Sequence, residues 1–199
     1  MSTKQMTLAP WRSLLARALH NNRSLPYARY FQLATLRRDG RPANRTVVFR
    51  GFLNDTNQLK IITDARSQKA DQIDYQAWGE VCWYFPKTRE QFRLMGQLTL
   101  IGVDYPDQTL QNARQTMWQE LSDAARLQFA WPHPGSDRTE SRDAFSQPPP
   151  NPKEPLSNFC LLLLEPEQVD HLELRGEPQN RWLYYLDDSH EWLKQAINP

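Results

Sequence analysis

The sequence predicts a mainly β fold, an antiparallel barrel with flanking helices. Short runs rich in β-branched and aromatic residues follow one another, and turn residues such as Asp39 and Gly40 separate them. Apolar residues at helical spacing occur in only a few places, without the regular strand and helix alternation of a parallel sheet. At 199 residues, the expected organisation is one domain over residues 1–199.

The first half of the chain is predicted to hold two helices and five strands. Apolar residues three and four apart predict an amphipathic helix over residues 8–20. Ser67 is a suitable N-cap for a second helix that ends at residue 74 or 76. The five strands are expected at residues 29–36, 44–52, 59–63, 80–85 and 90–102.

The second half is predicted to be more mixed. One helical face, formed by Leu110, Ala113, Met117, Leu121 and Ala124, predicts a helix over residues 105–129 that covers the sheet. Seven prolines in residues 132–158 predict a long irregular loop, which is a functional segment or a disordered one. Three strands are expected at residues 159–164, 169–174 and 181–186, followed by a terminal helix at 189–196.

Positive charge is concentrated in one β-rich segment. Residues 37–69 hold eight Arg and Lys against three Asp, an excess of +5, although the whole chain carries only +1. Such a concentration suits a compact anion, for which phosphate is the candidate, better than a polyanion. Nucleic acid is not an expected partner, because no basic residue interleaves the aromatic run Trp83, Tyr84 and Phe85.

Other features narrow the class of protein. No apolar run approaches the length of about 20 residues that a membrane-spanning helix needs, so no membrane partner is expected. The N-terminus lacks the pattern of a secretory signal, which predicts a cytoplasmic protein. Cys82 and Cys160 have no metal-ligand spacing and are expected to be buried thiols, so no metal site is predicted. No catalytic triad has recognisable spacing, and the catalytic residues are left unassigned.

Three residues could form a phosphate site. If a helix begins at Ser67, its free N–H groups, the Ser67 hydroxyl and the Lys69 ammonium converge on one point. Arg45, on a neighbouring strand, could add a bidentate fork. A solvated basic rim explains the same residues.

Two further residues have two interpretations each. Gln91 shares a strand face with Arg93 and could present its amide to a heterocycle, although such a Gln is more often a surface group. His133, between prolines, could line a pocket or serve only the structure of the loop.

The segments NRTVVFRG, IITDARSQKADQI and REQFRLMGQL, in this order and spacing, resemble the pyridoxamine 5′-phosphate oxidase-like FMN-binding split barrels. The resemblance covers residues 29–100 and is greatest to the Alr4036-type branch. It implies an FMN cofactor, with Arg45 and the helix start on its phosphate, strand backbone along the flavin and Gln91 near the ring. The FMN-binding residues that it implies are Arg45, Thr46, Val47, Val48, Arg50, Ile62, Thr63, Ser67, Gln68, Lys69 and Gln91.

The chain departs from the oxidases in several places. Gln68 replaces a cationic residue, and Arg50 replaces a Lys that reaches the substrate phosphate. Where the oxidases hold that phosphate with Tyr, Arg and Ser, this chain has Trp118, Ser122 and Arg126. Near the C-terminus, Leu172 replaces a Trp. The oxidases have an Arg and a His in a short pattern there, and this chain keeps only the Arg, as Arg181. The resemblance therefore supports FMN binding better than pyridoxamine phosphate oxidation.

The resulting hypothesis is an FMN-dependent oxidoreductase with an altered substrate site. The resemblance implies a homodimer with the flavin at the subunit interface, and a small-molecule substrate or electron donor. Arg50, Arg126 and Arg181 are the candidate residues for an anionic substrate, and the loop 132–158 is a candidate lid or dimer edge. The alternatives are a non-catalytic flavin-binding or carrier protein, and a cofactor-free barrel that acts in protein interaction.

Overall fold

The computed structural model describes residues 8–199, and its eight strands form one antiparallel sheet. This confirms the predicted fold class. Four α-helices flank the sheet: α1 Pro10–Asn22, α2 Gln68–Tyr75, α3 Gln108–Gln119 and α4 Asp123–Leu127. The strands are β1 Tyr30–Leu36, β2 Pro42–Val48, β3 Leu59–Asp64, β4 Trp78–Phe85, β5 Glu90–Ile101, β6 Phe159–Glu173, β7 Asn180–Leu186 and β8 Trp192–Ile197.

Strand β6 is the strand at which the sheet divides. The strand order is β2-β1-β4-β5-β6-β7-β8, and β3 pairs with β6 outside this path. One edge of β6 pairs with β5 from residue 161 to residue 173. The other edge pairs with β3 through residues 159–164 and with β7 through residues 168–173. The sheet therefore continues from β6 in two directions.

A glycine permits the closest approach of β5 to β6. The register of the two strands shifts between Met95 and Gly96. A Cβ atom at Gly96 would lie 1.9 Å from the carbonyl oxygen of Glu165. Because no side chain fits there, this position requires glycine.

Two hydrophobic clusters lie on opposite faces of β6. Leu162 and Leu164 belong to the first cluster, in which α1 packs through Trp11 on the sheet. Leu161 and Leu163 belong to the second, which α3 covers with Trp118. Side chains alternate across a strand, so burial on both faces explains the uninterrupted apolar run of residues 159–164.

The predicted terminal helix is wrong, because these residues form β8. Strand β8 pairs with β7 in antiparallel register, and Trp192 packs edge-on against Trp11 with ring centroids 5.8 Å apart. Residues 189–196 favour a helix when taken alone. Pairing with the free edge of β7 and the packing of the partly buried Trp192 ring on the first cluster override that preference.

Other boundaries also differ from the prediction. Residues 105–129 form α3, α4 and the start of a 3₁₀ helix, Gln128–Ala130, instead of one helix, and the Ser122 hydroxyl caps α4. The two strands expected at 159–164 and 169–174 are one strand, β6. The loop 132–158 is irregular apart from a short 3₁₀ helix, Arg142–Phe145. None of the helices within residues 8–199 is long and apolar enough to cross a membrane.

Candidate functional site

Three side chains converge where β3 turns into α2. Ser67 is the N-cap residue of α2, but its hydroxyl makes no capping hydrogen bond and lies 3.3 Å from the hydroxyl of Thr63. The Lys69 ammonium donates to Thr63 Oγ1 at 2.5 Å and to Ser67 Oγ at 3.4 Å. The turn therefore places two hydroxyls and an ammonium beside the N-terminus of a helix, an arrangement that attracts anions.

The charge on Lys69 is uncompensated. None of the ion pairs within residues 8–199 includes Lys69. Burial, and then the nearby positive charge of Arg45, lower the pKa of Lys69 to about 8, although Asp64 acts in the opposite direction. A half-buried ammonium without an ion pair is stabilised by a bound anion, so this position favours one.

Arg45 stabilises the strands and the helix next to this cluster. Its guanidinium donates to Leu33 O at 3.1 Å, to Thr35 Oγ1 at 2.7 Å and to Gln72 Oε1 at 2.8 Å, which ties β1 and β2 to α2. Burial, and then Arg37, lower the pKa of Arg45. Arg45 does not line the cleft described below, and it contributes there through its charge.

Arg50 follows β2 and carries an unpaired polar atom. Its Nε is buried without a hydrogen-bond partner. Burial, and then the positive charge of Arg29, lower the pKa of Arg50. A buried donor of this kind is costly unless it finds an acceptor.

Thr63, Lys69 and Arg50 line a cleft of about 610 Å³. One wall comes from β2, β3 and α2, including Val48, Arg50, Ile62, Thr63 and Lys69. The facing wall comes from the chain after α4, including Phe129, Trp131, His133, Ser136, Arg138 and Phe145. The first part of the loop 132–158 thus forms half of the cleft, and His133 does line a pocket.

Asp64 fastens this loop to the turn between β3 and α2, which carries Ser67. Its carboxylate accepts from Arg66 Nη2 at 2.7 Å and from Asn158 Nδ2 at 2.8 Å. Arg66 also donates to the carbonyls of Phe129 and Trp131, each at 3.2 Å. Burial acts to raise the pKa of Asp64, but the hydrogen bonds from Arg66 and Asn158 together lower it. Sequence reasoning missed this contact, since it joins distant residues without a local pattern.

Several residues that the resemblance implied lie away from the cleft lining. Val47 is buried in the first hydrophobic cluster, and Thr46 is exposed on β2. Gln68 is exposed, with its Nε2 facing Gly135 of the loop. Gln91 lies on β5, where its Oε1 is 3.8 Å from Cys82 Sγ. The structure brings together Val48, Arg50, Ile62, Thr63 and Lys69, with Ser67 adjacent.

Arg126 is not brought to the cleft. It is buried, and its guanidinium donates to the carbonyls of Trp118 and Leu121 and to the Asp123 carboxylate. Trp118 is fully buried, and its indole N–H donates to Asn151 O at 2.9 Å. Both residues therefore serve the packing of α3 and α4.

Arg181 lies on β7 and is held by a carboxylate. It donates to both oxygens of Asp170, at 3.0 and 2.7 Å. Arg93 pairs with the same Asp170. Burial acts to raise the pKa of Asp170, but Arg181 and Arg93 together lower it. This cluster belongs to the sheet and lies outside the cleft lining.

The residues of the cleft fit FMN. A phosphate needs cationic and hydroxyl donors, which Lys69, Ser67 and Thr63 offer together. The buried, unpaired Nε of Arg50 offers one more donor. Val48 and Ile62 add apolar surface for a flat ring system.

Comparisons with known proteins identify the family of this chain and support FMN as its cofactor. The family model described as pyridoxamine 5′-phosphate oxidase, FMN-binding domain, matches residues 8–102. Pyridoxine/pyridoxamine 5′-phosphate oxidase 2 of Arabidopsis thaliana is 39% identical over 195 residues, which cover 96% of this chain and 98% of that protein.

Solved structures show the same relationship. A pyridoxamine 5′-phosphate oxidase-related, FMN binding protein from Nostoc punctiforme is 68% identical, with a TM-score of 0.95, and the match covers 98% of this chain and all of that one. PhzG from Burkholderia lata, solved in complex with tetrahydrophenazine-1-carboxylic acid, shares the fold at 19% identity, with a TM-score of 0.72 over 94% of this chain and 91% of that one. The chain therefore belongs to the pyridoxamine 5′-phosphate oxidase family, with that family's FMN-binding split-barrel fold and FMN as its cofactor.

Proposed function

We propose that this protein is an FMN-dependent oxidoreductase whose substrate site differs from that of pyridoxamine 5′-phosphate oxidase. The observation that carries the flavin part of the proposal is the Lys69 ammonium, half-buried beside Thr63 and Ser67 with no ion pair to a carboxylate within residues 8–199. Such a cation cluster is stable when it holds an anion, and a phosphate monoester fits its donors.

In this proposal each wall of the cleft has a separate task. FMN, when bound, supplies the redox chemistry. Lys69, Ser67 and Thr63 hold its phosphate, with the charge of Arg45 behind them. Val48 and Ile62 contact the ring system, and Arg50 meets an anionic substrate. The Asp64 contacts keep the loop 132–158 over the cleft and limit the access of water.

The hydrogen bonds and ion pairs of the candidate substrate residues support an altered substrate site. Trp118 donates a hydrogen bond to the carbonyl of Asn151 in the loop, Arg126 donates to the carbonyl of Trp118 in α3, and the Ser122 hydroxyl caps α4. Arg181 is paired with Asp170, a carboxylate that it shares with Arg93. These side chains are therefore committed to other partners, and a phosphorylated substrate would have to rely on Arg50 and the loop.

The active form in this proposal is a cytoplasmic homodimer. Gln91 lies outside the cleft of its own chain, on a sheet surface that also carries Tyr84, whose side chain is 47% exposed. A second copy that brings its Gln91 to the flavin ring would complete the site. Light scattering on the FMN-loaded protein tests this, and a monomer at working concentration would contradict it.

A non-catalytic flavin carrier is the second candidate. The commitment of Trp118 and Arg126 to structural hydrogen bonds favours it, because a carrier needs no substrate contacts. The two candidates differ in how the bound flavin reacts.

The experiment that separates them is anaerobic reduction of the FMN-loaded protein. We expect a flavin absorption spectrum, and its bleaching by at least one amine substrate or by NADH or NADPH. Bound flavin that no candidate donor reduces would favour the carrier, and failure to bind FMN would contradict both.

A further inference from the structure

We infer that Arg138 is the residue through which the cleft recognises an anionic group, carboxylate or phosphate, on its substrate. This inference rests on the proposed function, because it assumes that FMN occupies the opposite wall. Arg138 is an exposed residue of the loop 132–158 and lines the same cleft as Val48, Thr63 and Lys69. Nothing in the local sequence around Arg138 distinguishes it from the other charged residues of that loop.

A chain of contacts positions Arg138. Its guanidinium lies over the ring of Phe145, 5.5 Å from the centroid. Phe145 packs edge-on against Trp131 with centroids 5.8 Å apart. The carbonyl of Trp131 accepts from Arg66 at 3.2 Å, and Arg66 is paired with Asp64. Arg138 is thus connected, step by step, to the turn that holds the phosphate.

The other charged residues of the cleft leave Arg138 available to bind an anion. Asp64 neutralises Arg66, so that pair adds no net charge. Asp137 also lines the cleft, yet none of the ion pairs within residues 8–199 joins it to Arg138. Lys69, Arg50 and Arg138 line the cleft without an ion pair within residues 8–199. The carboxylate of Asp137 offsets one of these three positive charges, so the lining keeps a net charge of +2.

The cations of the cleft have different tasks. A single phosphate held at Lys69 compensates that ammonium, whereas Arg138, in the loop, and Arg50 remain for an anionic group on the substrate. A guanidinium fork binds the two oxygens of a carboxylate or phosphate in the same geometry. Arg138 therefore selects substrates that carry such a group, in place of the donors that α3 and α4 have committed elsewhere.

The test uses the full-length, FMN-loaded protein and three forms of it: wild type, Arg138→Gln and Arg142→Gln. Arg142 is a matched control, since it is an exposed arginine of the same loop that does not line the cleft. Each form is titrated calorimetrically with benzoate and, separately, with phenyl phosphate, which distinguishes the two sources of negative charge. FMN affinity and melting temperature are measured for all three.

We expect the wild type to bind at least one probe and Arg138→Gln to bind it about tenfold more weakly, the loss typical of one charge-assisted hydrogen bond. Arg142→Gln should match the wild type, and FMN affinity should be the same in all three forms. Equal probe affinity in Arg138→Gln and wild type would overturn the inference, as would a wild type that binds neither anion. A wild type that fails to bind FMN would overturn the proposed function itself.

Discussion

Asn158 Nδ2 donates a hydrogen bond of 2.8 Å to Asp64 Oδ2, although 94 positions separate the two residues. The same Asn158 amide donates to Phe129 O at 2.9 Å. Both ends of the loop 132–158 are therefore fastened to the turn that carries Ser67 and Lys69. The position of the loop beside the cleft and the position of the turn with Ser67 and Lys69 therefore depend on one set of contacts.

Replacement of Asn158 by Ala should loosen the loop. We expect a loss of about 1 to 2 kcal/mol in the free energy of unfolding, because Asp64 and the Phe129 carbonyl each lose a donor. Cleavage of the loop by a protease should become faster, and urea unfolding and limited proteolysis measure the two effects. Asn151→Ala is the control, since its exposed side chain only accepts from Lys153 N within the loop. Identical cleavage rates in the two variants would contradict the role of Asn158.

Lys69→Ala and Arg45→Ala should each weaken FMN binding by about 1.5 to 3 kcal/mol, or roughly ten- to a hundredfold. Lys69 loses a direct charged contact, and Arg45 loses both its charge and the bonds that fix α2. Fluorescence titration of FMN measures the change. Lys60→Ala is a control on β3, the strand that also carries Thr63, and Lys60 lies outside the cleft lining. Unchanged affinity in both Lys69→Ala and Arg45→Ala would dismiss the phosphate site.

FMN affinity should fall as the pH rises above about 8. In the protein without ligand the pKa of Lys69 lies at about 8, below its ordinary value of 10.5, so its charge is lost early. A bound dianion favours the ammonium and raises this pKa, so binding takes up a proton between the two pKa values. Affinity is then full below the lower value and falls by up to about tenfold per pH unit above it. Titrations from about pH 7 to about pH 9.5 measure this slope, which should be shallower in Lys69→Met. A flat wild-type profile would show that Lys69 does not contact the phosphate.

Oxidation of pyridoxamine 5′-phosphate should be feeble at most. Its dianion needs several converging donors, and each missing charged contact costs about 1.5 to 3 kcal/mol. Trp118, Ser122 and Arg126 do not supply them, although Arg50 and Arg138 offset part of the loss. Production of pyridoxal 5′-phosphate under air measures the activity. A kcat/KM of ~10⁴ M⁻¹s⁻¹ or more would contradict the altered substrate site. The name of the Arabidopsis relative makes this a demanding test.

The sequence allowed most of the sheet to be predicted, because alternation and turn residues are local signals. Residues 192–197 are the exception: their strand depends on the edge of β7 and the ring of Trp11, which no local pattern contains. The break between α3 and α4 within residues 105–129 was not predicted. The apolar face continues across it, and only the capping hydroxyl of Ser122 marks the start of the new helix.

The candidate site was predictable where neighbouring residues form it. Thr63, Ser67 and Lys69 lie within seven residues of one another, so a strand followed by a helix brings them together. Asp64 with Asn158, and Arg138 with the facing wall, depend on how a long loop folds back, for which a single sequence has no signal. The assignment of individual residues to FMN stays a prediction that the titrations above address.

Strand β6 also determines when the protein can fold during synthesis. Within residues 8–199, β6 is the only strand that forms a ladder with β3, and it covers one edge of β5. A ribosome must therefore make the first 158 residues before either strand finds that partner. Until then both strand edges stay open to other chains, and a product truncated before residue 159 should aggregate instead of folding.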